Sequence, residues 1–354
     1  MQEKLINGIQ QIGVGVDDAE KAFEWYGTLL GADICVFDDA NIATYMAPYM
    51  GGQPHKKRAI FALNLQGGSG FELWQYLDRT PAFPQEAPRL GDYGIFAAKT
   101  KSRNIEQSFN RLKSKDVRII SETVTAPNGQ KHFYIQDPWN NILQIHESDD
   151  WFQRGKLDVG GVFGCIIGVS DIDASQRLYS DILGYSEVIY DETGVFDDLK
   201  PLPNGSGKFR RVLLTHKNNR TGGFSRMLRS SCIELMQAVD GFAPVKMFAN
   251  RYWGDIGFIH LCFDIHNMKY LVQECADAGF PFSVKSSDAF DMGDTNGGWG
   301  YLEDPDGTLI EFVETHKVPL IKKFKLVIDM TKRDPRKPLP NWLIKALSFK
   351  RVKF

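Results

Sequence analysis

Between residues 10 and 33 the chain reads QQIGVGVDDAEKAFEWYGTLLGAD. Ile12, Val14 and Val16 alternate with small or polar residues, the period-two pattern of a half-buried strand. Asp17 and Asp18 follow as N-cap chemistry, and Ala22, Phe23, Tyr26, Leu29 and Leu30 then recur at helical spacing. Gly31 predicts the helix stop. The same strand-then-helix pattern returns at 163–187 as FGCIIGVSDIDASQRLYSDILGYSE, with Tyr179 and Gly184 each 153 positions after Tyr26 and Gly31. The repeat is one of pattern rather than composition.

Further strands are predicted around 59–65 and 71–77, divided by the turn QGGSG. A second unit starts near Tyr93, with a strand at 95–100, a helix at 105–113 and strands near 117–121, 132–136 and 142–146. The turn DPWNN precedes the last of these. A third unit restarts at Val162 and a fourth at Phe258, the latter closing with DPDGTLIEF, whose Asp304 lies 167 residues after Asp137. The expected organisation is two domains of two modules each. Residues 6–148 hold modules of about 6–80 and 91–148, and residues 160–316 hold modules of about 160–240 and 256–316. HESDDWFQRGKLDVGG is the expected linker, and 317–354 form a tail.

A chain of 354 residues has room for two sound cores, and 43% hydrophobic with 24% charged residues is a globular balance. The N-terminal stretch offers no signal-peptide core and no apolar run reaches bilayer-spanning length, so a cytoplasmic protein is expected. Five cysteines without a CxxC pair suggest neither a disulfide framework nor a zinc knuckle. The net charge of −2 conceals an asymmetry: from Lys317 onward twelve Lys and Arg face two Asp, leaving about −12 on residues 1–316.

The phrases AFEWYGTLLG, RLYSDILGY and DPDGTLIEFVE resemble the vicinal oxygen chelate superfamily of glyoxalase I, methylmalonyl-CoA epimerase, extradiol dioxygenases and antibiotic-resistance proteins. The resemblance covers roughly 6–316 and implies an α+β fold of four βαβββ modules, paired so that curved sheets enclose each site. It also implies one metal ligand on the first strand and one on the last strand of each module. Those positions are Gln11, Ile95, Gly164 and His260 on first strands, and Glu72, Gln144, Glu234 and Glu311 on last strands.

The glutamates need explaining on physical grounds as well. Glu72 sits between Phe71 and Leu73 and shares a strand face with Gly70 and Trp74; Glu311 shares one with Leu309 and Val313. An unpaired carboxylate in such a setting costs several kcal/mol, roughly, which a cation would remove. If the first module pairs with the fourth, the site contains Gln11, Glu72, His260 and Glu311, similar to the set of some glyoxalase I enzymes. The leftover set, Ile95, Gln144, Gly164 and Glu234, is then expected to bind no metal. If neighbouring modules pair instead, the site contains Glu234, His260 and Glu311, with Gly164 unable to contribute. The first pairing is favoured. The remaining histidines, His55, His132, His146, His216, His266 and His316, are weaker signals.

An oxygen-rich site with one imidazole suits a divalent Zn, Ni, Mn, Co or Fe ion. The resemblance implies proton transfer on a chelated hydroxycarbonyl or dicarbonyl, with Glu311 the candidate base and Glu72 its alternative or partner. A dioxygenase is the second reading and a non-catalytic small-molecule binder the third. Trp25, Trp74, Trp253 and Trp299 are expected walls, and DTNGGWGY a flexible rim. The tail segment LPNWLIKALSFKRVKF is expected to form an amphipathic helix with Trp342, Leu343, Ala346 and Leu347 on one side, docked on the acidic body. Weak contact with an anionic membrane surface is the alternative, nucleic-acid binding is not expected, and the oligomeric state is left open.

Overall fold

The computed structural model describes residues 3–286, 290–292, 295–321 and 326–354. The first module runs β1 (Leu5–Val16), α1 (Ala19–Leu30), β2 (Ile34–Ile42), β3 (Lys56–Leu63) and β4 (Gly70–Tyr76). Asp18 caps α1 by accepting from the amides of Glu20 and Lys21, and Gly31 ends it at φ 71°, where a side chain would be strained. The second module runs β5 (Gly94–Ser102), α2 (Ile105–Lys113), the short β6 (Arg118–Ile119) and β7 (Val124–Thr125), β8 (Lys131–Gln136) and β9 (Ile142–Glu147).

The third module runs β10 (Val159–Gly168), α3 (Ile172–Gln176) with a π-helical turn over Arg177–Ile182, β11 (Glu187–Gly194), β12 (Phe209–Thr215), α4 (Ser225–Leu228) and β13 (Cys232–Ala238). The fourth runs β14 (Gly257–His266), α5 (Met268–Asp277), β15 (Val284–Lys285), β16 (Phe290–Met292), β17 (Thr295–Glu303), β18 (Leu309–Ile321) and β19 (Leu326–Asp329). The expected rim at DTNGGWGY is mostly strand β17 from Thr295 on, while Asp294 lies outside the described residues. Among the described residues no helix is long and apolar enough to cross a membrane.

Hydrogen bonding sorts these modules by ends and middle. The first sheet has the order β15-β17-β18-β14-β1-β4-β3-β2 and joins modules one and four; the second, β11-β12-β13-β10-β5-β9-β8-β6, joins modules two and three. The central contact of the first sheet is β1 running antiparallel to β14, with Gln11 opposite Cys262 and Gly13 opposite His260. Strands β4 and β18 flank this pair in parallel, setting Glu72 opposite Gly13 and Glu311 opposite Cys262. The odd-even alternation then separates two faces. Ile12, Val14, Phe71, Leu73, Leu261, Phe263, Ile310 and Phe312 enter one core with the helices and the second sheet, while Gln11, Glu72, His260 and Glu311 point into the cup.

The repeated landmarks explain themselves here. Tyr26 on α1 donates to Asp137 of the second module at 2.6 Å, and Tyr179 of the third module donates to Asp304 of the fourth at 2.9 Å. Each aspartate also organises its own turn: Asp137 accepts from the amides of Trp139 and Asn141, Asp304 from those of Asp306 and Thr308. The tyrosines thus bolt a helix of one sheet's module to a turn of the other's.

The tail docks on the body. Its short α6 (Asn341–Lys345) and following 3-10 turn (Ala346–Lys350) bury Leu343 and Ile344 beside Phe61, Leu63 and Leu228. Lys350 donates to the Val36 carbonyl at 2.6 Å, the Val352 amide to the Asp33 carbonyl at 2.9 Å, and Phe354 meets Phe23 edge-on. The expected apolar side is corrected in one respect. Trp342 is 68% exposed, because α6 lasts five residues before tightening and turns Ile344 inward in its place.

Replacing Tyr26 by Phe leaves Asp137 one donor short in a buried setting and is expected to cost about 1–3 kcal/mol. Urea unfolding checks this; an unchanged midpoint would contradict the bolting role.

Candidate metal centre

Four polar side chains from four adjacent strands meet in the cup of the first sheet. Gln11 Nε2 lies 3.1 Å from Glu72 Oε2 and 3.3 Å from Glu311 Oε2. His260 Nε2 lies 3.3 Å from Glu72 Oε2 and 3.1 Å from Glu311 Oε2. Gln11, His260 and Glu311 are buried and Glu72 nearly so. The first-to-fourth arrangement is therefore the one assembled. Glu234 lies in the other sheet, on β13, so the alternative grouping of Glu234 with His260 and Glu311 is not formed.

The register explains how β1 can run past an imidazole. An ideal Cβ on Gly13 would come within 2.3 Å of His260 Cε1, so only glycine leaves the ring its place. Trp253 stacks on His260 at 6.0 Å and 18°, and Tyr301 meets it edge-on at 5.5 Å. Trp74 is buried against Trp253, and Trp299 packs on Tyr301. Trp25 is no wall of the cup: it lies on α1 and packs against the helix-side core.

Charge decides what the cluster can hold. Burial opposes an imidazolium at His260, but Glu311 and Glu72 outweigh it and push its pKa up to about 9. Burial likewise opposes the Glu311 carboxylate, and His260 prevails in pulling its pKa down. Even so, two carboxylates against one imidazolium leave a buried unit of negative charge. Both ring nitrogens of His260 and Oε1 of Gln11 lack an aligned hydrogen-bond partner. Nε2 is within 3.3 Å of both carboxylates without the geometry of a hydrogen bond. The ligand atoms of Glu72, His260 and Glu311 all lie within 4.8 Å of one another, so this trio could hold a metal ion. Rotating the Gln11 amide exchanges Nε2 for Oε1, which would add a neutral oxygen.

The second cup solves the same problem differently. Glu234 is fully buried and ion-paired with both Lys99 and Arg211, and accepts from Tyr190 at 2.8 Å. Arg211 also binds Asp198 at 2.9 Å, and Gln144 donates to Tyr134 at 3.0 Å. Burial opposes the Glu234 carboxylate, but Arg211 and Lys99 hold its pKa well below the usual range. Two carboxylates, Glu234 and Asp198, face two basic side chains, Lys99 and Arg211. Sequence reasoning missed Lys99 and misjudged the register: Ala97 is opposite Ile142 and Lys99 opposite Gln144, so Ala97 occupies the position expected for Ile95. A lysine in the apolar run GIFAAKTK was the signal available.

The other histidines lie apart from the cluster. His132 and His146 stack near the second cup, their pKa values pushed down by burial to about 3 and about 4. His55 pairs with Asp78, His216 is held by Asn218 and Ser231, and His266 and His316 flank Glu314.

Comparison with known proteins bears on this architecture. Family models described as the glyoxalase/bleomycin resistance protein/dioxygenase superfamily match residues 8–145 and 165–295, most of the chain. The chain belongs to this superfamily. Among solved structures, a candidate dioxygenase from Bacillus subtilis is similar with a TM-score of 0.57 at 14% identity, over 99% of this chain and 98% of that one. A glyoxalase I variant from Zea mays is similar with a TM-score of 0.51 at 13% identity, over 88% and 94%. At these identities the likeness establishes the shared superfamily fold. No curated protein matches the sequence.

Gly13→Ala is expected to displace His260 and destabilise the fold by about 1–3 kcal/mol, the usual cost of overpacking. Thermal unfolding with an NMR view of the His260 ring tests it. An unshifted ring at full stability would contradict the close approach.

Proposed function

We propose that this superfamily member is a metal-dependent enzyme moving a proton next to a carbonyl, in the manner of a glyoxalase or an epimerase. The observation that supports this most is the convergence of a carboxamide, an imidazole and two carboxylates on one buried point that is short of positive charge. Gln11, Glu72, His260 and Glu311 would hold a divalent Zn, Ni, Mn, Co or Fe ion, and the donor set does not distinguish among these. Such an ion, when bound, supplies Lewis acidity to a hydroxycarbonyl or dicarbonyl bound through two oxygens.

The chain's own residues do the rest. Glu311 is the base, taking a proton from carbon and returning it to the neighbouring carbon or the other face. Glu72, less buried, is its partner carboxylate. Gln11 remains neutral, so the site keeps more net positive character than a third carboxylate would allow. Trp253 and Tyr301 fix the His260 ring and exclude water from it.

The donor set weighs against ring-cleaving dioxygenase chemistry, which is suited by two imidazoles and one carboxylate; here the proportions are reversed. Among the solved relatives, names of both kinds occur, so the donor set rather than the neighbours carries the choice.

Exchange of carbon-bound protons of hydroxyacetone in D2O, followed by proton NMR on protein loaded with Mn(II), Ni(II) or Zn(II), tests the reading. Glu311→Gln is expected to keep bound metal and slow exchange by about 10²–10⁴-fold. Undiminished exchange in that variant would refute its role, and wild-type exchange no faster than that of free ion would refute the reaction class.

A further inference from the structure

An apolar cavity of about 150 Å³ lies on the same sheet face as the four-donor cluster. Phe37, Phe61 and Leu63 wall it from β2 and β3, Val313 from β18, Leu228 from α4 and Leu347 from the tail. It adjoins the cluster by register. Phe61 is the cross-strand partner of Glu72, and Val313 follows Glu311 by two positions on one strand face. Gln10 lines the cavity too, and its Oε1 lies 3.5 Å from Sγ of Cys262, the strand partner of Glu311.

The other flank of the cluster is filled by the buried rings of Trp74, Trp253 and Tyr301. A small molecule chelated at the cluster therefore finds apolar room on the cavity side. The charged groups at its margin are already engaged: Asp264 accepts from Asn7 at 2.7 Å, and Lys350 donates to the Val36 carbonyl at 2.6 Å. A mainly apolar pocket of this size has room for a benzene-sized guest.

We propose that this cavity binds the apolar arm of the substrate, a group of about phenyl size, and that Leu347 of the tail sets that size. The identity of the arm rests on the reading of the cluster as a chelating site; the cavity itself does not. The closing wall comes from the tail, beyond the family-matched residues, which end at 295. The basic tail thereby has a role besides its docking: it completes the pocket beside the donors.

Two arms of one experiment separate the claims. In the first, toluene is titrated into the metal-free full-length protein and followed by ligand-observed NMR. One site per chain is expected, weakened at least about tenfold by Leu347→Trp, which fills the cavity. Leu347→Ala is the second variant, expected to shift preference from toluene towards naphthalene. No toluene binding, or equal binding by wild type and both variants, overturns the cavity assignment. In the second arm, mandelate and lactate, which share two chelating oxygens and differ by a ring, are titrated into Mn(II)-loaded protein. Mandelate is expected to bind at least about tenfold tighter, with the advantage lost in Leu347→Trp and Mn(II) affinity unchanged. Equal binding of the two acids by wild type overturns the placement of the arm. Failure to take up Mn(II) instead counts against the chelating reading and leaves the toluene result to decide the cavity.

Discussion

The pairing of β1 with β14 is the constraint on which the rest depends. These strands are about 250 positions apart in sequence, yet they lie antiparallel from Leu5 opposite His266 to Gly15 opposite Gly257. Until they meet, Gln11 and Glu72 belong to one half-sheet, and His260 and Glu311 to another. Closing so long a loop costs entropy that grows only slowly with length, so the apolar faces of the two half-sheets can offset it by burial. Irregularities in the ladder at Ile6/Gly8, Ile9/Gln11 and Gly13/Val14 re-aim side chains locally. Gly13, with no side chain, gives the His260 ring its room.

The two cups show alternative answers to one electrostatic problem. A last-strand glutamate turned into a protein interior must be neutralised or it destabilises the fold. In the second cup Lys99 and Arg211 do this from within the chain, and the interior is closed by tyrosines and an ion-pair network. In the first cup the available cation is a single imidazole, shared by two carboxylates. The first arrangement is the more costly as it stands and the more useful, because its residual negative charge and unpaired ring nitrogens can be satisfied by something that enters and leaves. The repeated module pattern lets one scaffold carry both solutions.

Much of this was legible in the sequence. Helix α2 spans the expected residues, 105–113, and Tyr26, Tyr179, Asp137 and Asp304 marked a repeat whose hydrogen bonds now explain it. Alternation also placed Glu72 and Glu311 on the face with Trp74 and Val313. What escaped detection was non-local. Edge strands β2 and β11 carry exposed polar residues and lack a clean period, because each has a neighbouring strand on one side alone. The shift from Ile95 to Ala97 depends on the partner strand's register, and the inward turn of Ile344 over Trp342 depends on where the tail meets the body. Which modules share a sheet is a long-range fact too, and there the first-to-fourth pairing was favoured through the resemblance rather than through any local signal.

The central claim is that residues from the first and fourth modules share one ion. Elemental analysis of metal per chain tests it most directly, on wild type and on Gln11→Ala and His260→Ala after reconstitution with Mn(II), Ni(II) or Zn(II) and desalting. The account predicts near one equivalent in wild type and a reduced content in both variants, one altered in β1 and the other in β14. Full metal content in the His260 variant, or no metal in reconstituted wild type, would contradict it.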